Sequence, residues 1–333
     1  MSGTITRCYP GILIPTGKKL ARDNRFSITF TSPNRNFQLG NSMKIIVTGS
    51  KGQLGRSIQE LSSGYTGLTF VFTDVEELDI CDQHQVDTLF ASEKPAVVVN
   101  CAAYTAVDKA EKEAALAEKI NHHAVANLAR ACRKTGARLI HISTDYLFDG
   151  NKSTPYQEND IVRPRSVYGI TKLEGETAIL RTEIQSIIIR TSWLYSAYGN
   201  NFVKTMLRLG REKDQIGVVS DQVGTPTFAG DLAKVLLDIL QMTAKDSKQF
   251  VPGIYHYSNE GVASWFDFTK AIFEYTPEIN CMVNPLDTLA YPTPAVRPAY
   301  SVLNKSKIKA TFGIRIPYWR DSLKLCLVKL SED

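Results

Sequence analysis

Tyr168 and Lys172 stand four residues apart in "SVYGITKLEG" (166–175), with a glycine directly after the tyrosine. On a helix that spacing puts both side chains on one face, with Cβ atoms about 5–6 Å apart. An ammonium held near a phenol favours the phenolate and lowers a pKa that is ordinarily about 10. Such a pair passes a proton near neutral pH. A surface tyrosine and a surface lysine at the same spacing would do nothing, so the neighbouring segments decide. Thr144 closes the apolar run "RLIHIST" (138–144) and adds a hydroxyl. If the three meet, the threonine polarises a carbonyl, the phenol protonates the oxyanion and the lysine tunes the phenol. That is the equipment for reducing a ketone with a hydride.

A hydride donor needs a cradle, and "GSKGQLG" places Gly49, Gly52 and Gly55 between a β-branched run and an amphipathic segment. The first two glycines allow a tight turn that brings backbone N–H groups to a diphosphate, and the helix N-terminus adds partial positive charge. The third permits close helix–strand packing. Strand before and helix after is the context this motif requires. Asp74 ends the next strand nineteen residues beyond Gly55, where a carboxylate can accept from the adenosine ribose; it reads otherwise as a strand-end turn residue. Lys51 and Arg56 are close enough to tolerate a 2′-phosphate, which leaves NADPH and NADH both open. Ala102 and Ala103, at the end of the following strand, are small enough for a cofactor to lie against the backbone, or for core packing alone.

The elements that must position these residues follow a regular rhythm. Strands are expected at 44–49, 68–74, 96–100, 138–144 and 186–192. Helices are expected after the glycine turn, near 82–92, over a long region 108–135 ended by Gly136, and from the Tyr/Lys segment. Alternating β and α elements predict an α/β, doubly wound parallel sheet of Rossmann type. Beyond residue 193 the rhythm loosens: helices near 201–212, 229–242 and 264–275 are separated by "DQVGTPTFAGDLA" and "YPTPAVRPAYS". Long proline-bearing loops of this kind commonly form the substrate side of a site. The expected organisation is therefore 43–192 for the dinucleotide and 193–333, interleaved with it, for the substrate.

Composition excludes several classes. Of 333 residues, 43% are hydrophobic and 22% charged, and the six cysteines form no C-x-x-C pair. The cysteines read as reduced, mostly buried thiols of a cytoplasmic protein. No stretch approaches the ~20 apolar residues of a membrane span. The net charge of +5 resides wholly in residues 1–42, where Arg7, Lys18, Lys19, Arg22, Arg25 and Arg35 face one acid, Asp23. The remainder is balanced, so its charge makes no case for nucleic acid or an anionic membrane as partner. Residues 1–42 read either as an organellar transit peptide or as a non-native or mis-started extension, since "MKIIVTG" from Met43 is a natural beginning. His122 and His123 are adjacent, so they are expected to point to different helix faces, and no metal site is expected.

With these motifs in order, the chain resembles the extended short-chain dehydrogenase/reductases over roughly residues 43–325. "GSKGQLG", "NCAAYTAVDKAE", "STDYLFDG", "VYGITKLEGE", "RTSWLY", "GNNFVKTMLRL", "DQVGTPT" and "YPTPAVRP" carry the likeness. The Tyr/Lys motif is shared by the whole superfamily; "STDYLFDG" with "RTSWLY" and "DQVGTPT" points to its reductases of 4-keto sugar nucleotides. The resemblance implies that Gly52, Gln53 and Leu54 line the cofactor diphosphate. It also implies that Asp74 holds the ribose, with Asp79 and Ile80 near the adenine. Ala102, Ala103, Tyr104 and Thr105 would run along the cofactor's middle, and Tyr168 and Lys172 would contact the nicotinamide ribose. Thr144, Asp145 and Trp193 would face the sugar, Trp193 reading alternatively as a core residue. Arg297 would meet the diphosphate of a dTDP-sugar substrate, since guanidinium recognises phosphate oxygens bidentately. An epimerase and a non-catalytic regulatory subunit share the fold. The dehydratases place a second acid where Tyr146 follows Asp145, so they fit less well. Arg56 and Ser57 stand where some relatives hold Mg²⁺ at a dimer contact, so a monomer or a metal-free homodimer is expected.

Overall fold

The structure, a computed structural model, describes residues 42–332, so the expectations for residues 1–41 lie outside the described residues. Five strands and six helices build the first half in the expected alternation. They are β1 (Met43–Thr48), α1 (Gln53–Ser62), β2 (Leu68–Thr73), α2 (Gln83–Glu93) and β3 (Val97–Asn100), then α3 (Val107–Ala110), α4 (Ala114–Glu118) and α5 (Ala124–Thr135), and finally β4 (Arg138–Thr144), α6 (Val167–Arg181) and β5 (Ser186–Thr191). All pair in parallel, in the order β5-β4-β3-β1-β2, and a sixth parallel strand, Gly253–His256, adds beyond β5. β3 and β5 are buried along their whole length. Helices on both faces cover such strands, so Val/Ile runs replace apolar–polar alternation. Because β1 lies between β2 and β3, the chain reverses direction there, and a crevice opens at the carboxyl ends of β1 and β3.

Local chemistry sets the boundaries. The Asp82 carboxylate caps α2 by accepting from the N–H groups of His84 and Gln85, a contribution of about 1 kcal/mol. α5 stops at Gly136, in the left-handed conformation at φ 73°. The expected continuous helix over 108–135 is instead broken into α3, α4, a π-helical turn at Lys119–His123, and α5. Two carboxylates of the broken stretch are used elsewhere. Asp108 pairs with Arg297, and Glu111 accepts from the Val167 N–H at the start of α6. The π turn pushes the Asn121 carbonyl outward, and a Cβ on Gly175 of α6 would collide with that oxygen. A glycine is needed for α6 to sit this close.

Beyond β5 lie α7 (Phe202–Glu212), α8 (Ala229–Lys245) and α9 (Trp265–Glu274). α8 and the strand Gly253–His256 belong to the sheet's own packing, since Leu232, Leu236, Leu240 and Tyr255 join β1 and α1 in one core. A second core, including Val203, Leu207, Phe268, Ile272 and Leu323, supports α7, α9 and the parallel pair Gln215–Val219 and Met282–Leu286. Among the described residues no helix is long and apolar enough to cross a membrane.

Candidate active site

The crevice at the strand ends opens into a cavity of about 1320 Å³, bounded on one side by the glycine turn and on the other by α7, α9 and the 291–297 loop. A smaller lobe of about 420 Å³ continues past Asp74. At the turn between β1 and α1, Gly49 has φ +65°, and a Cβ there would lie 2.6 Å from the Ala102 backbone nitrogen. Gly55 is equally crowded, its Cβ position blocked by the Gly49 carbonyl. The first turn of α1 is capped by Gly52, without a side-chain bond, so its N–H groups are free for an anion. The cradle therefore fits a dinucleotide diphosphate on steric and donor grounds.

Most residues expected to touch a cofactor line this space. Gly49, Gly52, Gln53, Leu54, Ala103 and Thr105 face the main cavity. Asp74, Asp79, Ile80 and Ala102 face the smaller lobe. The Asp74 carboxylate also clamps the turn, accepting from the N–H groups of Lys51 at 2.8 Å and Val75 at 2.9 Å. Tyr104 differs: its side chain lines neither space, and its hydroxyl donates to Glu113 at 2.5 Å. Its backbone is instead gripped by Asn121, which accepts from the Tyr104 N–H and donates to its carbonyl. Nothing in the local sequence marked Asn121 for this. The two cations near the turn are both engaged. Lys51 pairs with Glu76 at 2.7 Å and Glu77 at 3.3 Å, while Arg56 lies over the Tyr198 ring.

Tyr168, Lys172, Thr144 and Asp145 come together on the opposite wall. Ser166 caps α6 by accepting from the Gly169 N–H, which starts the helix one turn before Lys172. Tyr168 is half-buried at the cavity wall, and desolvation there pushes its phenol up to about 12, against the pull of the nearby Thr144 hydroxyl. This departs from the expected lowering. Lys172 is itself buried and points to β4, donating to the Ile142 carbonyl at 2.7 Å, and burial pulls its ammonium down to about 8. Tyr168 therefore holds its proton throughout the neutral range, as an acid must.

Thr144 donates to Asp145 Oδ1 at 3.2 Å, and Asp145 Oδ2 is buried without a partner beside the cavity. Burial pushes the Asp145 carboxyl up to about 6. An acid whose folded pKa is raised costs nothing below its unfolded value and costs the full amount above its folded one. Asp145→Asn is therefore expected to stabilise the fold at pH 7 by roughly 3 kcal/mol. The gain should shrink as pH falls from 6 and vanish below about 4, which urea unfolding at several pH values would measure.

Two aromatic residues form the far wall. Trp193, at φ +48°, stacks on Trp265 with ring centroids 3.5 Å apart and planes 8° apart. A non-glycine residue at positive φ costs on the order of 1 kcal/mol and clusters at ligand sites. Gly224 makes room for it, since a Cβ there would lie 2.6 Å from the indole. Trp193 thus faces the cavity rather than filling the core, and Trp265 is a wall residue that only an amphipathic pattern had announced. Arg297 reaches the cavity, yet its fork is held by Asp108 at 3.0 and 2.7 Å. Gln53 spans both halves, its Oε1 accepting from Ser196 and Asn201. One expectation fails outside the cleft. The rings of His122 and His123 do not diverge; their centroids are 4.5 Å apart, and both approach Glu118 Oε1. The π turn that contains them is the reason.

Comparison with known proteins agrees with this geometry. The family described as the RmlD substrate binding domain matches residues 43–332. A dTDP-4-dehydrorhamnose reductase from Aggregatibacter actinomycetemcomitans is 44% identical over 287 residues, which is 84% of this chain and 97% of that protein. The crystal structure of such a reductase from Clostridium acetobutylicum has a TM-score of 0.82 at 45% identity, covering 87% of this chain and 100% of that one. Another, from Bacillus anthracis in complex with NADP, has a TM-score of 0.80 at 38% identity, covering 86% and 99%.

Proposed function

Because the chain belongs to the RmlD substrate-binding family, we propose that it reduces dTDP-4-dehydro-L-rhamnose to dTDP-L-rhamnose, the last step in making that sugar nucleotide. The observation that carries this reading is the convergence of Thr144, Asp145, Tyr168 and Lys172 on one cavity wall, opposite a glycine turn fit for a dinucleotide. NADPH or NADH, when bound along Gly52–Leu54 and Ala102–Thr105, supplies the hydride.

The chain's own residues do the rest. Thr144 orients the ketone by turning its single hydroxyl hydrogen from Asp145 to the ketone oxygen. Tyr168 donates its phenolic proton to that oxygen as negative charge develops there, and a positioned acid of this kind contributes about 10²–10⁴-fold. Lys172 opposes the charge left on the phenol. Asp145, with one oxygen unsatisfied, accepts from a sugar hydroxyl, and Trp193 covers the sugar ring. Arg297 meets the substrate diphosphate by exchanging Asp108 for phosphate oxygens. Asp74, Asp79 and Ile80 hold the adenosine end in the smaller lobe. On this reading the protein acts in the cytoplasm, as a monomer or homodimer.

The test is oxidation of NADPH and of NADH, followed by absorbance, with dTDP-4-dehydro-L-rhamnose as substrate. Turnover with either cofactor is expected. Binding of cofactor without turnover would overturn the assignment and favour an epimerase or a regulatory subunit of the same fold.

A further inference from the structure

Behind the reactive pair lies a buried hydrogen-bond chain whose proton directions are determined. The Asn100 side chain, at the end of β3, is the starting point. Its Oδ1 accepts from the Ala102 backbone N–H at 3.1 Å and from the Thr48 hydroxyl at 2.7 Å. A backbone N–H can only donate, so the amide has one orientation, with Nδ2 directed away. Nδ2 stands 3.0 Å from Nδ1 of His141. An amide nitrogen can only donate as well, so Nδ1 must accept. His141 is fully buried, and burial together with the neighbouring Lys172 charge keeps its imidazole neutral. The single ring proton therefore sits on Nε2. That nitrogen is 3.2 Å from Lys172 Nζ.

An ammonium and an Nε2–H are both donors, and they face each other. The free amine has a lone pair for the imidazole proton, and it still donates to the Ile142 carbonyl. We infer that His141 is a positioning residue for the reduction, whose fixed Nε2–H favours the amine over the ammonium at Lys172 and so eases proton return from Lys172 to Tyr168. This deepens the proposed function and rests on it. The step balances. The Tyr168 O–H bond breaks as the sugar oxygen gains its proton. An N–H bond of the Lys172 ammonium then breaks to restore the phenol, and the exposed lone pair accepts from His141. Solvent water supplies the proton that restores the ammonium. The other groups acting on Lys172 are Cys101 after β3 and Glu176 on α6, with Glu176 paired to Arg190 on β5, while Tyr168 lines the same cavity. None of them presents a donor to the lysine nitrogen in this arrangement.

Nitrogen NMR of the cofactor-free protein tests the inference apart from turnover. His141 should show the Nε2–H tautomer and stay unprotonated well below the ordinary histidine range. His141→Phe removes the donor, so the Lys172 titration should rise by about one pH unit, a tenfold change in proton affinity. The alkaline limb of kcat should move up with it, while KM stays within about twofold. His141→Gln, which keeps an N–H at that reach, should leave both near wild type. An Nδ1–H tautomer, or a Lys172 titration unmoved in His141→Phe, would overturn the inference. The tautomer is read on the wild-type protein, so the test stands even if His141→Phe does not fold.

Discussion

Tyr168→Phe should lower kcat by about 10²–10⁴ while leaving cofactor affinity within a few-fold of wild type. The substitution removes one oxygen and keeps the ring, which packs edge-on against Tyr146 with centroids 5.5 Å apart. Removing one hydroxyl at the cavity wall, beside Thr144, costs little stability, so the loss reports chemistry rather than unfolding. The high proton affinity of the phenol makes the reasoning directional. Desolvation at the cavity wall holds Tyr168 protonated through the neutral range, so in the reducing direction loss of this proton should not lower the wild-type rate until well above neutral pH. Stopped-flow measurement of the hydride step would check both points. A Phe variant within about fivefold of wild type would mean that the sugar oxygen takes its proton elsewhere.

Glu176→Leu should destabilise the fold by about 3–5 kcal/mol. Glu176 on α6 and Arg190 on β5 are joined by two parallel bonds, at 2.9 and 2.7 Å, and their side chains are only 2% and 4% exposed. Removing the carboxylate leaves a buried guanidinium whose remaining contacts are the Glu158 carbonyl at 3.4 Å and the Phe148 ring. Neither offsets a full charge. The double variant Glu176→Leu/Arg190→Met removes both charges and should be more stable than Glu176→Leu alone. Urea midpoints measure this, and a single variant within about 1 kcal/mol of wild type would contradict it. Glu176 also sits one helical turn beyond Lys172 and acts on its charge, so Glu176→Leu should reduce kcat beyond its effect on stability.

The parts legible in the sequence were those written locally. The β-branched runs of β1, β3 and β5 declared buried parallel strands. The spacing of Gly49, Gly52 and Gly55 declared the turn, and the four-residue step from Tyr168 to Lys172 declared a shared helix face. Contacts between distant segments were not legible. Nothing near Asn121 announced that it would grip the backbone of Tyr104, and nothing near Gln53 announced its bonds to Ser196 and Asn201. The break in the helix over 108–135 was hidden for the same reason. Asp108 and Glu111 are unremarkable in a helical pattern until Arg297 and Val167 arrive from elsewhere in the chain. The protonation of Tyr168 also escaped, because proximity along α6 argued for a lowered pKa and burial, which depends on the whole fold, reversed it.

The most direct test of the central claim follows the hydride itself. The protein would be given dTDP-4-dehydro-L-rhamnose with a nicotinamide cofactor deuterated at its transferable position, and the product examined by mass spectrometry and NMR. The account predicts one deuterium, bonded to the former carbonyl carbon of dTDP-L-rhamnose, with one cofactor oxidised for each sugar reduced. Product without deuterium, or rearranged sugar without net cofactor oxidation, would contradict it.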